Sequence, residues 1–173
     1  MAGVARRWVW LGGILALVAC AAGLSVWFAA GGSAPATTAT RARVYTSYQA
    51  CLLTGPTGIS AVPATQVWAG MEDASAKTHA MVSYLAVSGP ATTANAQTFL
   101  GSLLVEKCGV IVAAGSPEQA AVLAEAPKFP GVHFVLTGAG QGPVAGGNVA
   151  VASPGQSGLG AAVAALIEAD AGD

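Results

Sequence analysis

The chain has 173 residues, of which 54% are hydrophobic and only 9% are charged, and its formal net charge at pH 7 is −1. This length is enough for one domain with a buried core. The sequence has no cluster of lysine and arginine, which excludes nucleic-acid binding through a basic surface.

The first distinctive segment is residues 8–30, a run without charge that directly follows Arg6 and Arg7. As a helix, the run would extend about 34 Å, which is enough to cross a bilayer. The two arginines predict that residues 1–7 form a cytoplasmic tail, because positive charges remain on the inner side. The sequence therefore predicts a single-pass protein of the cell membrane whose C-terminal domain lies outside.

Cys20 supports a second interpretation of the same segment. Residues 17–20, LVAC, have the form of a bacterial lipobox, and the apolar run before them suits a signal peptide. Cys20 would then carry a lipid anchor. A transmembrane helix is favoured, because ten apolar or small residues follow Cys20. Both interpretations predict an anchored, outward-facing protein, with residues 31–43 as a flexible linker.

Beyond this linker, residues 44–173 alternate between strand patterns and helix patterns. Short apolar runs predict strands at residues 50–54, 81–87, 110–114, 132–137 and 148–152. Apolar residues at helical spacing predict helices at residues 64–79, 93–107, 116–127 and 160–169. Gly109 is predicted to cap the second helix, and Ser116 with Gln119 is predicted to form a capping box on the third.

This alternation predicts an α/β domain, a three-layer doubly wound parallel sheet of about five strands. Right-handed crossovers favour the strand order 2-1-3-4-5. In such sheets, ligands bind at the loops that follow the carboxyl ends of the strands.

Cys51 and Cys108 are the two cysteines of the predicted outer domain. An even number of cysteines in an oxidising compartment favours a disulfide. The alternative is a pair of buried thiols. No metal site is predicted, because neither of the two histidines lies near a cysteine in the sequence.

Several segments resemble the basic membrane lipoprotein family. These are residues 67–74 (VWAGMEDA), 107–115 (KCGVIVAAG), 126–135 (APKFPGVHFV) and 148–150 (NVA), in the family's order. The resemblance spans about residues 48–169 and implies the first lobe of a type I periplasmic solute-binding fold. It also implies an extracytoplasmic role and an ABC permease as partner.

Two departures limit what the resemblance implies. The family has two lobes, whereas this chain ends where the first lobe would end. Residues 55–62 and 153–157 have neither the acid nor the aromatic residue with which family members bind nucleosides. Nucleoside binding is therefore not predicted.

Polar residues at the predicted strand ends form the predicted ligand site for a small polar molecule. They are Thr54, Thr57, Gly58, Ser116 and Thr137. The turn at Thr57 and Gly58 offers backbone N–H groups to an anion, although a plain turn explains it equally well. Catalysis and cofactors are not predicted, because no two acids are placed together near a strand end and His79 and His133 have structural explanations.

Two functions remain open. One is a membrane-anchored solute-binding-like domain, which would need a homodimer or a partner lobe to enclose its ligand. The other is a non-catalytic envelope interaction module that has lost ligand binding.

Overall fold

Five strands and four α-helices make up the part of the chain that the computed structural model describes, which is residues 44–138, 147–154 and 158–172. The predicted tail, membrane segment and linker, with Cys20, lie outside these residues. Among the helices within them, none has the length and apolar character needed to cross a membrane.

Every predicted strand and helix of residues 44–173 is present. The strands are β1 (Gln49–Thr54), β2 (Met81–Ala86), β3 (Val110–Ala114), β4 (His133–Thr137) and β5 (Val149–Ala152). The helices are α1 (Ala64–Thr78), α2 (Thr93–Val105), α3 (Ser116–Glu125) and α4 (Gly158–Asp170). Short 3₁₀ turns occupy Gly58–Ser60 and Ala126–Lys128.

The strands form one parallel sheet in the order β2-β1-β3-β4-β5, which confirms the predicted topology. Helices α1 and α4 cover one face, where Leu52, Val112 and Val135 are buried. Helices α2 and α3 cover the other face, where Leu53, Ile111 and Phe134 are buried. Because both faces are covered, the central strands are continuously apolar, as their sequence indicated.

Helices α1 and α4 approach each other at backbone distance. A Cβ atom at Gly70 would overlap with the carbonyl group of Gly160. A Cβ atom at Gly160 would lie 2.7 Å from the carbonyl oxygen of Gln66. Glycine at both positions therefore permits this close packing, which the hydrophobic pattern did not predict.

Two predicted helix caps are wrong. Lys107 (φ 61°), not Gly109, takes the left-handed conformation after α2. Gly109 lies under the ring of Tyr48, where a Cβ atom would come within 2.8 Å of Cε2. At α3 the N-cap is Gly115 (φ 132°), and Ser116 is already the first helical residue. Gln119 binds Thr137 instead of closing a capping box.

Cys51 and Cys108 form a disulfide, which was the favoured prediction. Their Cα atoms are 5.9 Å apart, and the two residues are 57 positions apart in the sequence. Cys51 lies within β1, and Cys108 lies two residues before the start of β3. Both residues are buried, so the bond crosslinks neighbouring strands beneath α2 and α3.

Candidate functional site

The carboxyl edge of the sheet consists of the strand ends Thr54, Ala114, Thr137 and Ala152 with the loops that follow them. The register pairs Thr54 with Ala114 and Thr137 with Ala152. The parallel sheet therefore brings the predicted ligand residues to one edge: Thr54, Thr57, Gly58, Ser116 and Thr137. Their role in binding stays a prediction.

The two threonines that end strands use their hydroxyl groups within the fold. Thr54 is 2% exposed, and its Oγ1 donates to the carbonyl oxygen of Gly58 at 3.1 Å. Thr137 is 5% exposed, and its Oγ1 donates to the carbonyl oxygen of Ala113 at 3.1 Å. The same oxygen accepts a hydrogen bond from Gln119 Nε2 at 3.2 Å. Both hydroxyl protons are therefore already engaged, which the sequence pattern did not reveal.

The remaining predicted residues differ in their exposure to solvent. Gly58 is buried with φ 58°, and its N–H donates to the carbonyl oxygen of Gly55 at 2.9 Å. That N–H is consequently used within the turn and is not directed at an anion. Thr57 and Ser116 are exposed.

Glu118 is a residue of this edge that the sequence reasoning missed. It occupies the first turn of α3, directly after β3, and it is only 3% exposed. Its carboxylate makes no hydrogen bond or ion pair with the residues that the structure describes. A negative charge in the first turn of a helix is favourable, and this signal was present in the sequence.

The carboxylate of Glu118 lies between two glycines that follow neighbouring strands. A Cβ atom at Gly115, after β3, would overlap with its Oε2. A Cβ atom at Gly55, after β1, would lie 3.8 Å from its Oε1. In the 2-1-3-4-5 order, the boundary between β1 and β3 is the topological switch point. The connection from β1 leads to β2 on one side of this boundary, and the connection from β3 leads to β4 on the other side. Glu118 therefore lies where this architecture places ligands.

A cavity of about 240 Å³ opens on the same edge. The residues described around it are Pro63, Gln66, Thr137, Gly138, Pro154 and Leu159. Among the described residues, none comes within 4 Å of a Cβ atom built at Gly138. Thr137 lines this cavity and accepts hydrogen bonds from the side chain of Gln119, the residue that follows Glu118 in α3.

A second cavity, also of about 240 Å³, lies at the opposite, amino edge of the sheet and is bordered by Asn148, His133 and Asp170. The polar groups around it are paired. Asp170 accepts a hydrogen bond from Tyr48 Oη and contacts His133 Nδ1. Asn148 Nδ2 contacts the carbonyl oxygens of Ala126, Phe129 and Val132 at 3.0–3.1 Å. The two cavities are equal in volume, so the chemistry of their walls distinguishes them.

Cys51, Glu106 and Cys108 bring potential metal-ligand atoms within 4.8 Å of one another. The two sulfur atoms are bonded to each other, so they are not available as thiolate ligands. This cluster therefore does not form a metal site in the disulfide state.

No protein-family model matches the sequence, and neither does any curated protein. Solved structures do match the fold. One is a fragment from Peptoclostridium difficile 630 described as a "putative lipoprotein", with a TM-score of 0.59 and 13% identity. The match covers 71% of this chain and 98% of that one.

Another similar structure is an ABC transporter solute-binding protein from Aeropyrum pernix K1, with a TM-score of 0.46 and 19% identity. That match covers 59% of this chain and only 27% of the Aeropyrum chain. At these identities, what the Peptoclostridium match shows is the fold: the chain shares its α/β architecture with the fragment described as a lipoprotein.

Proposed function

We propose that the chain is a membrane-anchored, extracytoplasmic solute-binding-like protein that holds a small polar ligand at the carboxyl edge. The observation that carries this proposal is that three features lie at the same edge of the sheet. These features are the β1/β3 switch point, the buried carboxylate of Glu118 and the cavity beside Thr137. The resemblance to the first lobe of the basic membrane lipoprotein family agrees with it.

The disulfide supports the extracytoplasmic part of the proposal. Structural disulfides form and persist in oxidising compartments and are rare in the cytosol of mesophiles. Cys51 and Cys108 are buried, so this bond belongs to the core and not to an exposed redox site. Either anchor proposed for residues 8–30, a membrane helix or a lipid on Cys20, would place the domain in such a compartment.

Binding is proposed rather than catalysis. The hydroxyl groups of Thr54 and Thr137 are committed to backbone carbonyls and have no neighbouring base among the described residues. Glu118 is the only acid that the described part of the chain places at the switch point. A general acid–base pair would need a second titratable group within hydrogen-bond reach.

A partner is part of the proposal, because a ligand at this edge would remain partly exposed. Pockets that enclose a drug-sized ligand usually measure about 300–1,000 Å³. The cavity at the carboxyl edge measures about 240 Å³ and is open to solvent. A second copy of the chain or another lobe would complete it, and an ABC permease is the proposed recipient of the ligand.

A thermal-shift screen of the full-length chain in detergent against amino acids, amines, sugars and nucleosides tests this proposal. We expect at least one compound to raise the unfolding midpoint, because a ligand that binds only the folded state stabilises it. Gly138→Ala, which adds a methyl group to the cavity wall, should reduce the shift. Gly131→Ala is the matched control, since Gly131 lies in an exposed turn before β4 with equally open space. Shifts that Gly138→Ala leaves unchanged would contradict this location.

The second candidate is a non-catalytic envelope interaction module. Two observations favour it: the internal hydrogen bonds of Thr54 and Thr137, and the exposed apolar side chains of the edge strand β2. Met81 is 39% exposed and Tyr84 is 47% exposed. Unprotected edge strands pair readily with other chains. If no compound shifts the midpoint, and Tyr84→Lys abolishes self-association measured by light scattering, this second function is correct.

A further inference from the structure

We infer that Glu118 receives a positively charged group of the ligand, so that the solute is a small amine or guanidine. This inference rests on the proposed function and specifies the chemical class of its ligand. It is carried by the position of the carboxylate, its burial, and its lack of a partner or of close neighbours beside Gly55 among the described residues.

The position of Glu118 is fixed by elements on both sides of the switch point. Helix α3 begins at Ser116, two residues after the last residue of β3, and Pro117 and Glu118 lie in its first turn. The carboxylate then covers Gly115 and faces Gly55 across the ends of β3 and β1. Any side chain at Gly115 would displace it. Glycine at this position therefore allows the carboxylate to lie flat against the strand end.

The charge of Glu118 is not balanced by a cation in the described part of the chain. Lys77 pairs with Glu168, and Lys128 pairs with Glu125. Lys107 follows the C-terminal end of α2, at the amino edge. Because the helices run antiparallel to the strands, all three lysines lie at the end of the domain away from Glu118.

A buried carboxylate without a counter-ion is costly, because it loses hydration without gaining an attractive partner. Proteins accept such a cost most readily where a ligand supplies the missing charge. A neutral hydroxyl group would hydrogen-bond to the carboxylate but leave its charge uncompensated, whereas an ammonium or guanidinium group donates hydrogen bonds and also supplies the opposite charge. The uncompensated charge therefore favours an ammonium or guanidinium group over a sugar hydroxyl.

The carboxylate is also within reach of a ligand. Among the described residues, no side-chain polar atom that is fully shielded from solvent lacks a hydrogen-bond partner. Since Glu118 has no such partner there, its oxygens retain a small opening to solvent. Beside Gly55, Oε1 of Glu118 is the only atom of the described residues within 4 Å of a built Cβ, so no other described side chain closes the approach from β1.

Isothermal titration of the full-length chain in detergent tests the inference with paired probes. Each cationic probe has a neutral counterpart. Putrescine is paired with 1,4-butanediol, and agmatine is paired with N-(4-aminobutyl)urea acetylated at its amine. Arginine is paired with citrulline that is acetylated and amidated at its termini. Glu118→Gln keeps the shape of the side chain and removes its charge. Glu72→Gln is the matched control, because Glu72 is an exposed acid on α1.

We expect an amine to bind the native chain and the Glu72→Gln variant with equal affinity. The same amine should bind Glu118→Gln at least tenfold more weakly, and its neutral counterpart should not bind. Amine binding that survives Glu118→Gln, or equal binding of a neutral counterpart, would overturn the inference and leave the proposed function intact. If neither amines, neutral counterparts nor any compound of the thermal-shift screen binds, both are wrong.

Discussion

The two edges of the sheet differ in whether an acidic side chain has a partner among the described residues. At the amino edge, Asp170 is held by both Tyr48 and His133, and Asn148 satisfies carbonyl groups of the chain that leads into β4. The disulfide between Cys51 and Cys108 crosslinks the sheet next to this edge. At the carboxyl edge, two glycines surround a buried carboxylate that has no partner among the described residues.

This difference predicts that the paired residues of the amino edge stabilise the fold and that Glu118 at the carboxyl edge serves binding. Paired groups at the amino edge fix the starts of β1, β4 and β5 and the end of α4 in place. Unpaired groups and open space at the carboxyl edge contribute little to stability, and they are what a ligand needs. Substitutions of the paired residues at the amino edge should therefore destabilise the fold, whereas substitutions of Glu118 and Gly55 at the carboxyl edge should mainly change binding.

Removal of the disulfide should have the largest effect. The Cys51→Ala/Cys108→Ala double variant frees a loop whose ends are 57 positions apart. The chain-entropy model then predicts a loss of about 4 kcal/mol in the free energy of unfolding. Urea unfolding of the variant and the oxidised native chain measures this loss. A loss below about 1 kcal/mol would show that the bond adds little to the amino edge.

Asn148→Ala should have the next largest effect. The substitution leaves the carbonyl groups of Ala126, Phe129 and Val132 without their side-chain donor, at a cost of about 2–3 kcal/mol in unfolding free energy. Asn95→Ala is the matched control. Asn95, in the first turn of α2, also donates to two carbonyl groups, of Ser88 and Pro90, but these two hydrogen bonds are exposed to solvent. Urea unfolding should show a smaller loss for this variant, and equal losses would contradict the comparison.

Tyr48→Phe should reduce stability by about 1–2 kcal/mol at neutral pH, because it removes a hydrogen bond to the carboxylate of Asp170. Tyr84→Phe is the control, since Tyr84 is 47% exposed and keeps its edge-to-face contact with Trp68 as phenylalanine. Urea midpoints at pH 7 measure both effects. A Tyr84→Phe loss as large as that of Tyr48→Phe would be inconsistent with the proposed role of Asp170.

The same tyrosine predicts a pH dependence. Burial raises the pKa of Tyr48 from 10.0 to about 12. The folded state therefore retains the phenol proton more strongly than the unfolded state does. The associated stability is fully present below about pH 10 and is lost as the pH rises through about 12. The urea midpoint of the native chain should fall more steeply between pH 9.5 and 11.5 than that of Tyr48→Phe. Parallel curves would refute this assignment.

Gly55→Ala should have the smallest effect on stability, within about 0.5 kcal/mol, because the added methyl group meets only Glu118 Oε1 at 3.8 Å. The methyl group would nevertheless narrow the approach to the carboxylate and weaken binding of any amine that the native chain binds. Gly101→Ala, with open space on α2, is the control and should leave binding unchanged. Unaltered binding by Gly55→Ala would place the ligand elsewhere.

The fold was predictable because its signals are local and repeated. Alternation of apolar runs such as residues 110–114 with helical spacing gives a parallel sheet, and handedness limits the strand order. The caps at Gly109 and Ser116 were predicted wrongly because tertiary contacts decide them. The ring of Tyr48 requires glycine at position 109, and the close approach of Glu118 requires glycine at position 115.

The meeting of the proposed site residues at one edge was predictable, whereas their hydrogen bonds were not. Topology alone brings Thr54 and Thr137 to one edge, whereas their hydrogen bonds to Gly58 and Ala113 depend on side-chain geometry. Glu118 was overlooked because an acid in the first turn of a helix is usually explained by the helix dipole. Its burial and lack of a partner appear only in three dimensions.

The unfolding free energy of Glu118→Gln, measured in urea without ligand, tests the contrast between the edges most directly. If Glu118 is an unpaired charge kept for binding, the variant should be as stable as the native chain or more stable by up to about 1 kcal/mol. Glu72→Gln, at an exposed position, should leave stability unchanged. A loss of more than about 1 kcal/mol in Glu118→Gln would mean that the carboxylate stabilises the fold. The carboxyl edge would then be built for stability, as the amino edge is.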